Sequence, residues 1–538
     1  MQDFKQIIKQ SKIGTIVPLY KEIDYAAEPL EYFAKVSDNG RKENSILLES
    51  AEIITKYGEQ SLGTSNPCLK LTGKGSSFKI LALNDFGRRF LRFIKDDFEF
   101  CDSVSYNDNT IEGTLKSAKN NVSESERLNQ QTHFDVIRTV LFKFKPTSKP
   151  VQPYCGLFGA IAYDFIDQFE DLPKARSDLL EIPDYELYFV DNLFLIDHKK
   201  NKTIFIANAL IMDDDSENTY DRCVDIINEY ENMLSTHLTK LDKNEQEQTI
   251  KIDTDTSKDE FVSVVKQFKE HIKSGDVFQA VPSRTCIVES DAEPLDIYKQ
   301  LKSSNPSPYM FYIKNKNNIL LGASPEKYLS VSGEDKKIVE LRPIAGTKPR
   351  GLINGEINID LDNKYETELK TDFKELAEHT MLIDLARNDV ARICKPGTRK
   401  LDKLFTVEKY SHVQHLVSTV NGKLKDGLDM FHAYLGVMNM GTLTGAPKIE
   451  AMKLIRKYEK NKRGFYGGSV AYFTPHGEMD STITIRSIFM KDNKAYIRAG
   501  AGIVHDSIPE SEFEETEKKM SACLNAIKSA SNKGDGNE

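Results

Sequence analysis

Runs that favour strands and runs that favour helices are interleaved along this chain without a regular β–α–β alternation, which limits the folds it can adopt. The strand-like runs are residues 45–53, 185–197, 412–420, 467–474 and 481–490. The helix-like runs, with apolar residues recurring on one face, are residues 216–238, 366–387 and 510–529. A mixture of this kind predicts an α+β fold.

The length and one polar segment predict two domains. The chain has 538 residues, which is more than a single hydrophobic core usually organises. Residues 241–257 are polar and hold few apolar side chains, so we interpret them as a linker. This predicts an N-terminal region over residues 1–240, a second domain over residues 258–530 and a disordered tail at residues 531–538.

Composition argues against several classes of protein. The formal net charge is −9 and no stretch forms a basic stripe, so no nucleic-acid partner is expected. The longest nearly uncharged apolar run, residues 154–163, is far too short to span a membrane. The seven cysteines include no C-x-x-C pair, which favours a reducing cytoplasm over a disulfide framework.

Two helix-like runs carry glutamates that share one helical face. Glu375 and Glu378 are three residues apart, and Glu512, Glu515 and Lys519 follow three-then-four spacing. Two helices that each present carboxylates could hold a hard cation, and few protein ligands with open water positions favour Mg²⁺. Two solvated acidic faces would give the same spacing, so both interpretations stay open at this point.

The segment YSHVQHLVS at residues 410–418 contains an H-x-x-H pair, which suggests a metal site. The segment favours a strand, however, and residues three apart in a strand point to opposite faces. His412 and His415 are therefore not expected to bind one metal ion. One of them could serve as a general acid or base, whereas a packed, hydrogen-bonded core histidine is the simpler alternative.

Two glycine-rich segments lack the spacing of known nucleotide-binding motifs. MGTLTGAPK at residues 440–448 is not a P-loop, and RAGAGIV at residues 498–504 lacks the third glycine of a dinucleotide fingerprint. Both could bring backbone N–H groups to an anion or form ordinary turns. Arg486 is expected on the polar face of a strand with Thr482 and Thr484, where it could bind a carboxylate ligand or a surface acid.

The order of the motifs in the second half of the chain resembles the chorismate-utilising enzymes. The motifs are PIAGT, KELAEH, DLARND, YSHVQHLVS, GTLTGAPK, GFYGG, TIRS, AGAGIV and SEFEET, and the match covers roughly residues 258–528. LLESAEI at residues 47–53 and NPSPYMF at residues 305–311 resemble the anthranilate-forming branch of that family. The resemblance implies the family's fold, with sheets packed as a sandwich and helices outside.

The resemblance also implies roles for individual residues. The residues implied to lie at a Mg²⁺ ion are Glu378 and Glu515, with Glu375 and Glu512 nearby. The positions that resemble chorismate-binding residues are Gly346, Thr347, Tyr466, Arg486, Gly500, Ala501, Gly502 and Lys519. The positions that resemble catalytic residues are Glu326, His415, Gln279 and Thr442. Among these, Glu326 would protonate the departing 4-hydroxyl and His415 would serve the later elimination.

Two positions distinguish the branches of the family. The sibling that leads to p-aminobenzoate has PIKGT, with a lysine nucleophile where this chain has Ala345. The isochorismate and salicylate synthases have a lysine that activates water where this chain has Gln279. Alanine and glutamine leave the attack to ammonia, so the resemblance implies amination of chorismate and loss of pyruvate to give anthranilate. An aminodeoxychorismate synthase component I is the nearest alternative.

The resemblance implies two partners besides chorismate. No cysteine lies in the glycine-rich context of a glutaminase nucleophile, so a separate glutamine amidotransferase subunit would supply ammonia, in a heterotetramer with two chains of each kind. The residues that resemble a feedback site for L-tryptophan are Glu49, Ser50, Pro308, Tyr309 and Met310. An edge strand packed on a loop would explain this pattern without a ligand.

Two alternatives come from other functional classes. One is a tryptophan-sensing protein without activity, which the intact carboxylates, His415 and Arg486 disfavour. The other is a metal hydrolase, which the opposite faces of the two histidines disfavour.

Overall fold

The computed structural model describes residues 2–51, 60–116, 130–236, 250–353, 355–410 and 413–531. The helices, numbered in chain order, are α1 Gln2–Gln10, α2 Pro29–Val36, α3 Asp85–Ile94, α4 His133–Leu141, α5 Ser216–Ser235, α6 Lys258–Lys273, α7 Pro294–Ser304, α8 Ile359–Thr371, α9 Phe373–Ile393, α10 Met430–Val437, α11 Lys448–Tyr458 and α12 Pro509–Ser531. Two 3₁₀ helices span Tyr163–Gln168 and Gly441–Leu443.

The strands fall into two groups along the chain. Those before residue 237 are β1 Thr15–Ile23, β2 Ser45–Glu49, β3 Gln60–Thr64, β4 Leu69–Lys74, β5 Ser77–Ala82, β6 Ser103–Asn107, β7 Thr110–Thr114, β8 Lys145–Pro146, β9 Gly156–Ile161, β10 Tyr185–Val190, β11 Asn192–Asp197 and β12 Lys202–Ile211. Those after residue 249 are β13 Lys251–Thr254, β14 Gln279–Ala280, β15 Ser283–Glu289, β16 Tyr309–Lys314, β17 Asn318–Ser324, β18 Lys327–Ser332, β19 Ile338–Leu341, β20 Ile344–Pro349, β21 Leu352–Ile353, β22 Glu356–Ile357, β23 Lys400–Lys409, β24 Val413–Lys423, β25 Gly445–Ala446, β26 Ser469–Phe473, β27 Met479–Ile483, β28 Ser487–Lys491 and β29 Lys494–Gly500.

Two large, mainly antiparallel sheets contain most of these strands. The first has the order β13-β15-β29-β28-β17-β16-β2-β3-β11-β12-β1-β8. The second has the order β20-β24-β19-β18-β27-β26-β9-β10-β4-β5-β7-β6, and β23 also pairs with β24. Strands from both halves of the chain meet inside each sheet, because β2 pairs with β16 and β9 pairs with β26. Residues before position 237 and residues after position 249 therefore share both sheets.

Two hydrophobic clusters show how the layers pack. The larger one contains buried side chains from both sheets, such as Leu62 of the first and Phe158 of the second, so the sheets lie face to face. The other lies on the opposite face of the first sheet and includes Phe33 of α2, Ile227 of α5 and Met520 of α12. The result is a sandwich with helices outside, and the predicted α+β fold is confirmed.

The helix-like run at residues 366–387 forms two helices rather than one. α8 ends at Thr371, and the Asp372 carboxylate accepts hydrogen bonds from the backbone N–H groups of Lys374 and Glu375 at 3.0 and 3.2 Å. An aspartate in this position satisfies N–H groups that the first turn of a helix leaves free. α9 therefore starts anew at Phe373, close to the predicted site residues on its first turns.

The prediction that residues 481–490 form one strand is wrong. β27 ends at Ile483 in the second sheet, and β28 starts at Ser487 in the first. Between them, Arg486 has a φ of 49°, in the left-handed region, where a strand cannot continue. Arg486 thus lies where the chain crosses from one sheet to the other, and not on the polar face of a strand.

Residues 241–249 of the predicted linker and residues 532–538 of the predicted tail lie outside the described residues. Lys251–Thr254 forms β13 inside the segment interpreted as a linker and pairs with β15. The division into domains stays a prediction. Among the described residues, no helix combines the length and the apolar composition needed to cross a bilayer. All seven cysteines are free thiols.

Candidate active site

A bulge in β20 shapes one wall of the candidate site. Thr347 lies opposite His415 of β24, and the register shifts between Ala345 and Thr347, at Gly346. Gly346 has a φ of 66°, and a Cβ atom there would lie 2.7 Å from Leu369 Cδ1 and 2.9 Å from Glu375 Oε2. The bulge therefore needs glycine for its backbone conformation and for its close approach to α8 and α9.

His415 is buried against this bulge, with 7% of its surface exposed. Its Nδ1 lies 3.1 Å from the Gly346 carbonyl oxygen and 3.0 Å from Thr347 Oγ1. Burial lowers the pKa of His415 to about 4, against the opposing effect of the Gly346 carbonyl. The imidazole is therefore neutral at pH 7. Nδ1 carries the proton and donates a hydrogen bond to the Gly346 carbonyl oxygen, which leaves Nε2 free to accept a proton. His412 lies outside the described residues.

Four carboxylates from two helices converge next to this wall. Glu375 and Glu378 are on α9, and Glu512 and Glu515 are on α12. Burial raises the pKa of Glu375, Glu378 and Glu512 and is the largest effect on each. The negative charge of Glu515 raises all three pKa values further. Gln279 of β14 donates from Nε2 to Glu378 Oε1 at 2.8 Å. The pairs predicted from spacing thus lie close enough together for their charges to interact.

The donor chemistry of this cleft fits Mg²⁺. Within the described residues, no three histidine, cysteine, aspartate or glutamate side chains form a ready metal-binding group. Mg²⁺, however, is usually held by one or two carboxylates together with water and substrate oxygens. Glu512 Oε2 is buried without a hydrogen-bond partner, and Glu515 is shared with Lys519, whose Nζ lies 2.6 Å from Glu515 Oε1.

The segment Gly500–Gly502 is packed tightly between both parts of the site. A Cβ atom on Gly500 would lie 2.7 Å from the Pro282 carbonyl oxygen and 3.2 Å from Tyr466 Oη. A Cβ atom on Gly502 would lie 2.8 Å from Gln279 Nε2. Gly500 therefore requires glycine because backbone blocks a side chain, whereas a side chain at Gly502 would displace the end of the Gln279 side chain. Between them, Ala501 is fully buried, with its side chain in a small cluster beneath α6 and α11.

Lys519 and Tyr466 both contact this backbone segment at Gly500. Lys519 Nζ donates to the Gly500 carbonyl oxygen at 3.0 Å. Tyr466 is 8% exposed, and burial raises the pKa of its phenol to about 12. The Tyr466 phenol therefore keeps its proton at neutral pH and can donate to an anion.

Arg486 supplies a cation that no protein group neutralises. Burial lowers the pKa of its guanidinium, and the nearby Cys523, Tyr466 and Glu515 act in the opposite direction. Across the described residues, the guanidinium makes neither a hydrogen bond nor an ion pair. Arg486 is partly buried, so its guanidinium loses hydration without gaining an ion pair, and this arrangement suits an anionic ligand.

Glu326 lies at the turn between β17 and β18 and is buried, with Oε1 lacking a hydrogen-bond partner. Burial raises its pKa to about 8, and the Thr442 hydroxyl and the Lys519 ammonium oppose this rise. Thr442 comes from the 3₁₀ turn Gly441–Leu443. The carboxyl is therefore protonated at neutral pH and has the chemistry of a proton donor.

A separate cavity of about 530 Å³ lies between the two sheets. The five residues predicted to form a regulatory site all line it, namely Glu49, Ser50, Pro308, Tyr309 and Met310. They meet because β2 pairs with β16, which places Glu49 opposite Met310. The Glu49 carboxylate also accepts a hydrogen bond from Tyr298 Oη at 3.0 Å and one from Lys302 Nζ.

The sequence analysis did not predict the charged residues that line this cavity. Lys327 and Asp480 line it, with Lys327 Nζ 3.7 Å from Asp480 Oδ1 and Tyr309 Oη 3.4 Å from Asp480 Oδ2. In the sequence, Lys327 and Asp480 are single charged residues within otherwise apolar strands. Such a charge is rarely buried without a partner, so this pattern could have indicated a buried ion pair.

Comparisons with known proteins identify the family of this chain. Residues 101–525 match the chorismate binding enzyme family. Anthranilate synthase component 1 of Buchnera aphidicola subsp. Acyrthosiphon pisum is 39% identical over 516 residues, which cover 95% of this chain and 97% of that protein. The Haemophilus influenzae protein of the same name is also 39% identical over 516 residues, covering 94% and 97%.

Solved structures give the same result. The crystal structure of anthranilate synthase component I from Streptococcus pneumoniae TIGR4 superposes with a TM-score of 0.70 at 28% identity, and covers 87% of this chain and 92% of that one. The menaquinone-specific isochorismate synthase MenF from Escherichia coli, at 14% identity and a TM-score of 0.60, shares the fold. The chain therefore belongs to the chorismate binding enzymes and, within them, to the anthranilate synthase component 1 family of lyases.

Proposed function

We propose that this chain aminates chorismate with ammonia and eliminates pyruvate, so that anthranilate is formed as the first step of tryptophan synthesis. The observation that carries the proposal is that a buried acid, Glu326, and a partly buried arginine without an ion-pair partner among the described residues, Arg486, both lie near the Lys519–Glu515 ion pair. Chorismate needs both, because it has a hydroxyl to lose and two carboxylates to be held.

The first step is an amination. Ammonia adds to C2 of chorismate, the two conjugated ring double bonds shift to C1–C6 and C4–C5, and the C4–O bond breaks. Glu326 gives its proton to the departing oxygen, which leaves as water, and the proton lost from the new amino group balances the one donated. Gln279 has no basic nitrogen to activate water, which favours ammonia as the nucleophile.

The second step is an elimination. His415, neutral at pH 7, takes the proton from C2 of the aminated ring. The C3–O bond then breaks, the enolpyruvyl group leaves and takes up a proton to become pyruvate, and the ring becomes aromatic. The bond between His415 Nδ1 and the Gly346 carbonyl leaves Nε2 as the accepting nitrogen.

The residues that would hold Mg²⁺ are Glu378 and Glu515, with Glu375 and Glu512 close by. When bound, the ion would bind the ring carboxylate and draw electron density from the ring. Arg486, Tyr466 and Lys519, the Gly346 and Thr347 turn, and the backbone of Gly500–Gly502 would orient the anionic substrate beside these carboxylates.

Ala345 supports this branch of the family over the alternative that leads to p-aminobenzoate. Its methyl group lies in β20, next to the Gly346 bulge, and is 8% exposed. An alanine has no nucleophile, whereas a lysine at this position would be able to attack the ring. Attack at C2 is therefore left to ammonia.

Ammonia would come from a partner. We infer a glutamine amidotransferase subunit, anthranilate synthase component II, in a cytoplasmic heterotetramer of two large and two small chains. The family name of the relatives, component 1, supports a second component.

The cavity lined by Glu49, Ser50 and residues 308–310 would bind L-tryptophan as feedback inhibitor. Binding between strands of the two halves of the chain would couple that ligand to the cleft.

One experiment tests the proposal. The purified chain is mixed with chorismate, Mg²⁺ and an ammonium salt at mildly alkaline pH, and anthranilate fluorescence is followed with and without L-tryptophan. The chain contains no tryptophan, so its own emission does not mask the product. Fluorescent product that tryptophan suppresses supports both assignments. Chorismate consumed without anthranilate contradicts the branch, and tryptophan binding without turnover favours a sensor.

A further inference from the structure

Behind the backbone that carries Gly500, one buried carboxylate joins several segments of the site. Glu459 follows the last residue of α11, and its side chain is 5% exposed. Its two oxygens accept two hydrogen bonds from Ser283, N–H and hydroxyl, both at 2.8 Å. They also accept two from Arg463, at 2.6 and 3.0 Å, and one from Arg498 at 2.6 Å.

The two arginines extend this cluster into the surrounding backbone. Arg463 donates to the carbonyl oxygens of Leu443 and Val281, both at 2.6 Å. Arg498 donates from Nε to Ser283 Oγ and from Nη1 to the Lys462 carbonyl oxygen, both at 2.8 Å. These bonds fix the chain just after Thr442, the entry to β15, and β29 relative to one another.

Each of these segments leads directly to a residue of the candidate active site. Ser283 is paired with Gly500 in the ladder between β15 and β29. Tyr466 follows Arg463 by three residues, and its ring centre lies 5.8 Å from the Arg463 guanidinium carbon. Leu443, whose carbonyl Arg463 binds, is the neighbour of Thr442. Movement of Glu459 would therefore be felt at several substrate contacts together.

The cluster also carries a net positive charge. Burial acts to raise the pKa of Glu459, but Arg463 and Arg498 outweigh it and hold the pKa below its usual value, so the carboxylate is ionised. Among the described residues, neither arginine has a second ion-pair partner. Two cations and one anion leave one positive charge behind the backbone of Gly500–Gly502, where it would attract an anionic ligand.

We propose that Glu459 is a positioning residue of this active site. By binding Ser283, Arg463 and Arg498, it holds Tyr466 and the Gly500–Gly502 backbone in the geometry that receives the anionic substrate. It touches no reacting atom itself. The inference deepens the proposed function, because it takes chorismate as the substrate.

The test compares three variants under ammonium-dependent conditions, at a temperature where each is folded. Glu459→Gln keeps the size and shape of the side chain but replaces one carboxylate oxygen with an N–H₂ group. The N–H groups of the two arginines that bonded this oxygen then lose their acceptor. Ser283→Ala removes only the hydroxyl that joins Glu459 to Arg498, and is the milder change. Asp191→Asn is the matched control, since Asp191 is fully buried, pairs with Arg222 at 2.5 Å and lies on no segment of the site.

We expect the KM for chorismate to rise about tenfold or more in Glu459→Gln, more than kcat falls, and by less in Ser283→Ala. Asp191→Asn is expected to lose stability with an unchanged KM. A folded Glu459→Gln with the wild-type KM, or an Asp191→Asn with the same rise, would overturn the proposal. If Glu459→Gln does not fold, an unchanged KM in Ser283→Ala overturns it and a raised one supports it.

Calorimetric titration with chorismate separates this inference from the proposed function. If the wild type forms no anthranilate, the proposed function fails, but binding can still be compared. Weaker chorismate binding by Glu459→Gln than by the wild type would then support the positioning role. Equal affinity, or no binding by the wild type, would overturn it.

Discussion

Glu326 and Lys327 are consecutive residues whose side chains enter different parts of the molecule. Glu326 is buried in the candidate active site, where Thr442 and Lys519 act on its carboxyl group. Lys327 lines the 530 Å³ cavity, with Nζ 3.7 Å from Asp480 Oδ1. Neighbouring residues at the start of a strand point to opposite faces, and β18 begins at Lys327. The candidate proton donor is therefore joined directly to the wall of the candidate regulatory cavity.

Replacing Glu326 with glutamine should lower ammonium-dependent anthranilate formation by about 100-fold or more, because the departing hydroxyl loses its proton donor. The wild-type carboxyl has a pKa raised to about 8 by burial, so activity at constant free NH₃ should fall as the pH rises through this value. The measurement is kcat/KM against pH for both proteins. A wild-type profile without this alkaline limb would contradict the assignment.

The same substitution should change how stability depends on pH. The folded-state pKa of Glu326 is raised from 4.5 to about 8, so the folded chain binds an extra proton between these values. Its contribution is fully present below the unfolded-state pKa and is lost as the pH rises through the folded value. Urea denaturation at both ends of this window should show a smaller decline for Glu326→Gln. An identical decline in both proteins would argue against a raised pKa.

His415→Asn should separate the two steps of the reaction. Burial lowers the pKa of His415 to about 4, so the neutral ring acts as a base at pH 7 and serves the elimination. Asparagine fills the site without a basic nitrogen, and chorismate should be converted to an aminated intermediate that mass spectrometry detects. His133→Asn is the control, since His133 is also buried, with a lowered pKa, but bonds Gly75 and Tyr185. Anthranilate formed by His415→Asn at the wild-type rate would contradict this role.

The sequence predicted the local features well and the long-range ones poorly. Glu375 and Glu378 share a helical face in the structure because local spacing fixes their positions on α9. Arg486 was misplaced because a strand-like pattern does not show where a chain leaves one sheet for another.

Long-range pairing was visible only where motifs pointed to it. The register that puts Glu49 opposite Met310 joins segments far apart in the chain, and periodicity carries no information on it. Glu459 was missed for a similar reason. Arg463 is a local partner four residues away, but Ser283 and Arg498, which complete the burial of its charge, come from distant segments of the chain.

Lys302→Met should weaken inhibition by L-tryptophan. Lys302 and Tyr298 of α7 hold the Glu49 carboxylate at the cavity, and α7 also packs against α12, which carries Glu515. Without the ammonium group, Glu49 remains buried with one partner fewer and the cavity wall loosens. We expect the tryptophan concentration for half inhibition to rise about tenfold, with uninhibited kcat within about twofold of the wild type.

The control for this prediction is Lys143→Met. Lys143 is a partly buried lysine that pairs with Asp97, and neither residue lines the cavity. It should leave inhibition by tryptophan unchanged. Wild-type inhibition in Lys302→Met would show that the contact with Glu49 does not support the regulatory cavity.

Arg486→Gln should lose substrate affinity without losing stability. Within the described part of the chain its guanidinium has no partner, and burial lowers its pKa, so the folded state gains little from the charge. Removing a cation that would bind a substrate carboxylate should raise the KM for chorismate by about 10- to 100-fold. The free energy of unfolding should stay equal or rise, because no buried acid is left unpaired.

Arg456→Gln provides the contrast, since it would leave Asp164 and Asp167 without their guanidinium and cost about 3–5 kcal/mol. Urea denaturation and chorismate kinetics on both variants decide the matter, and a stability loss in Arg486→Gln as large as in Arg456→Gln would mean that Arg486 serves the fold rather than the ligand.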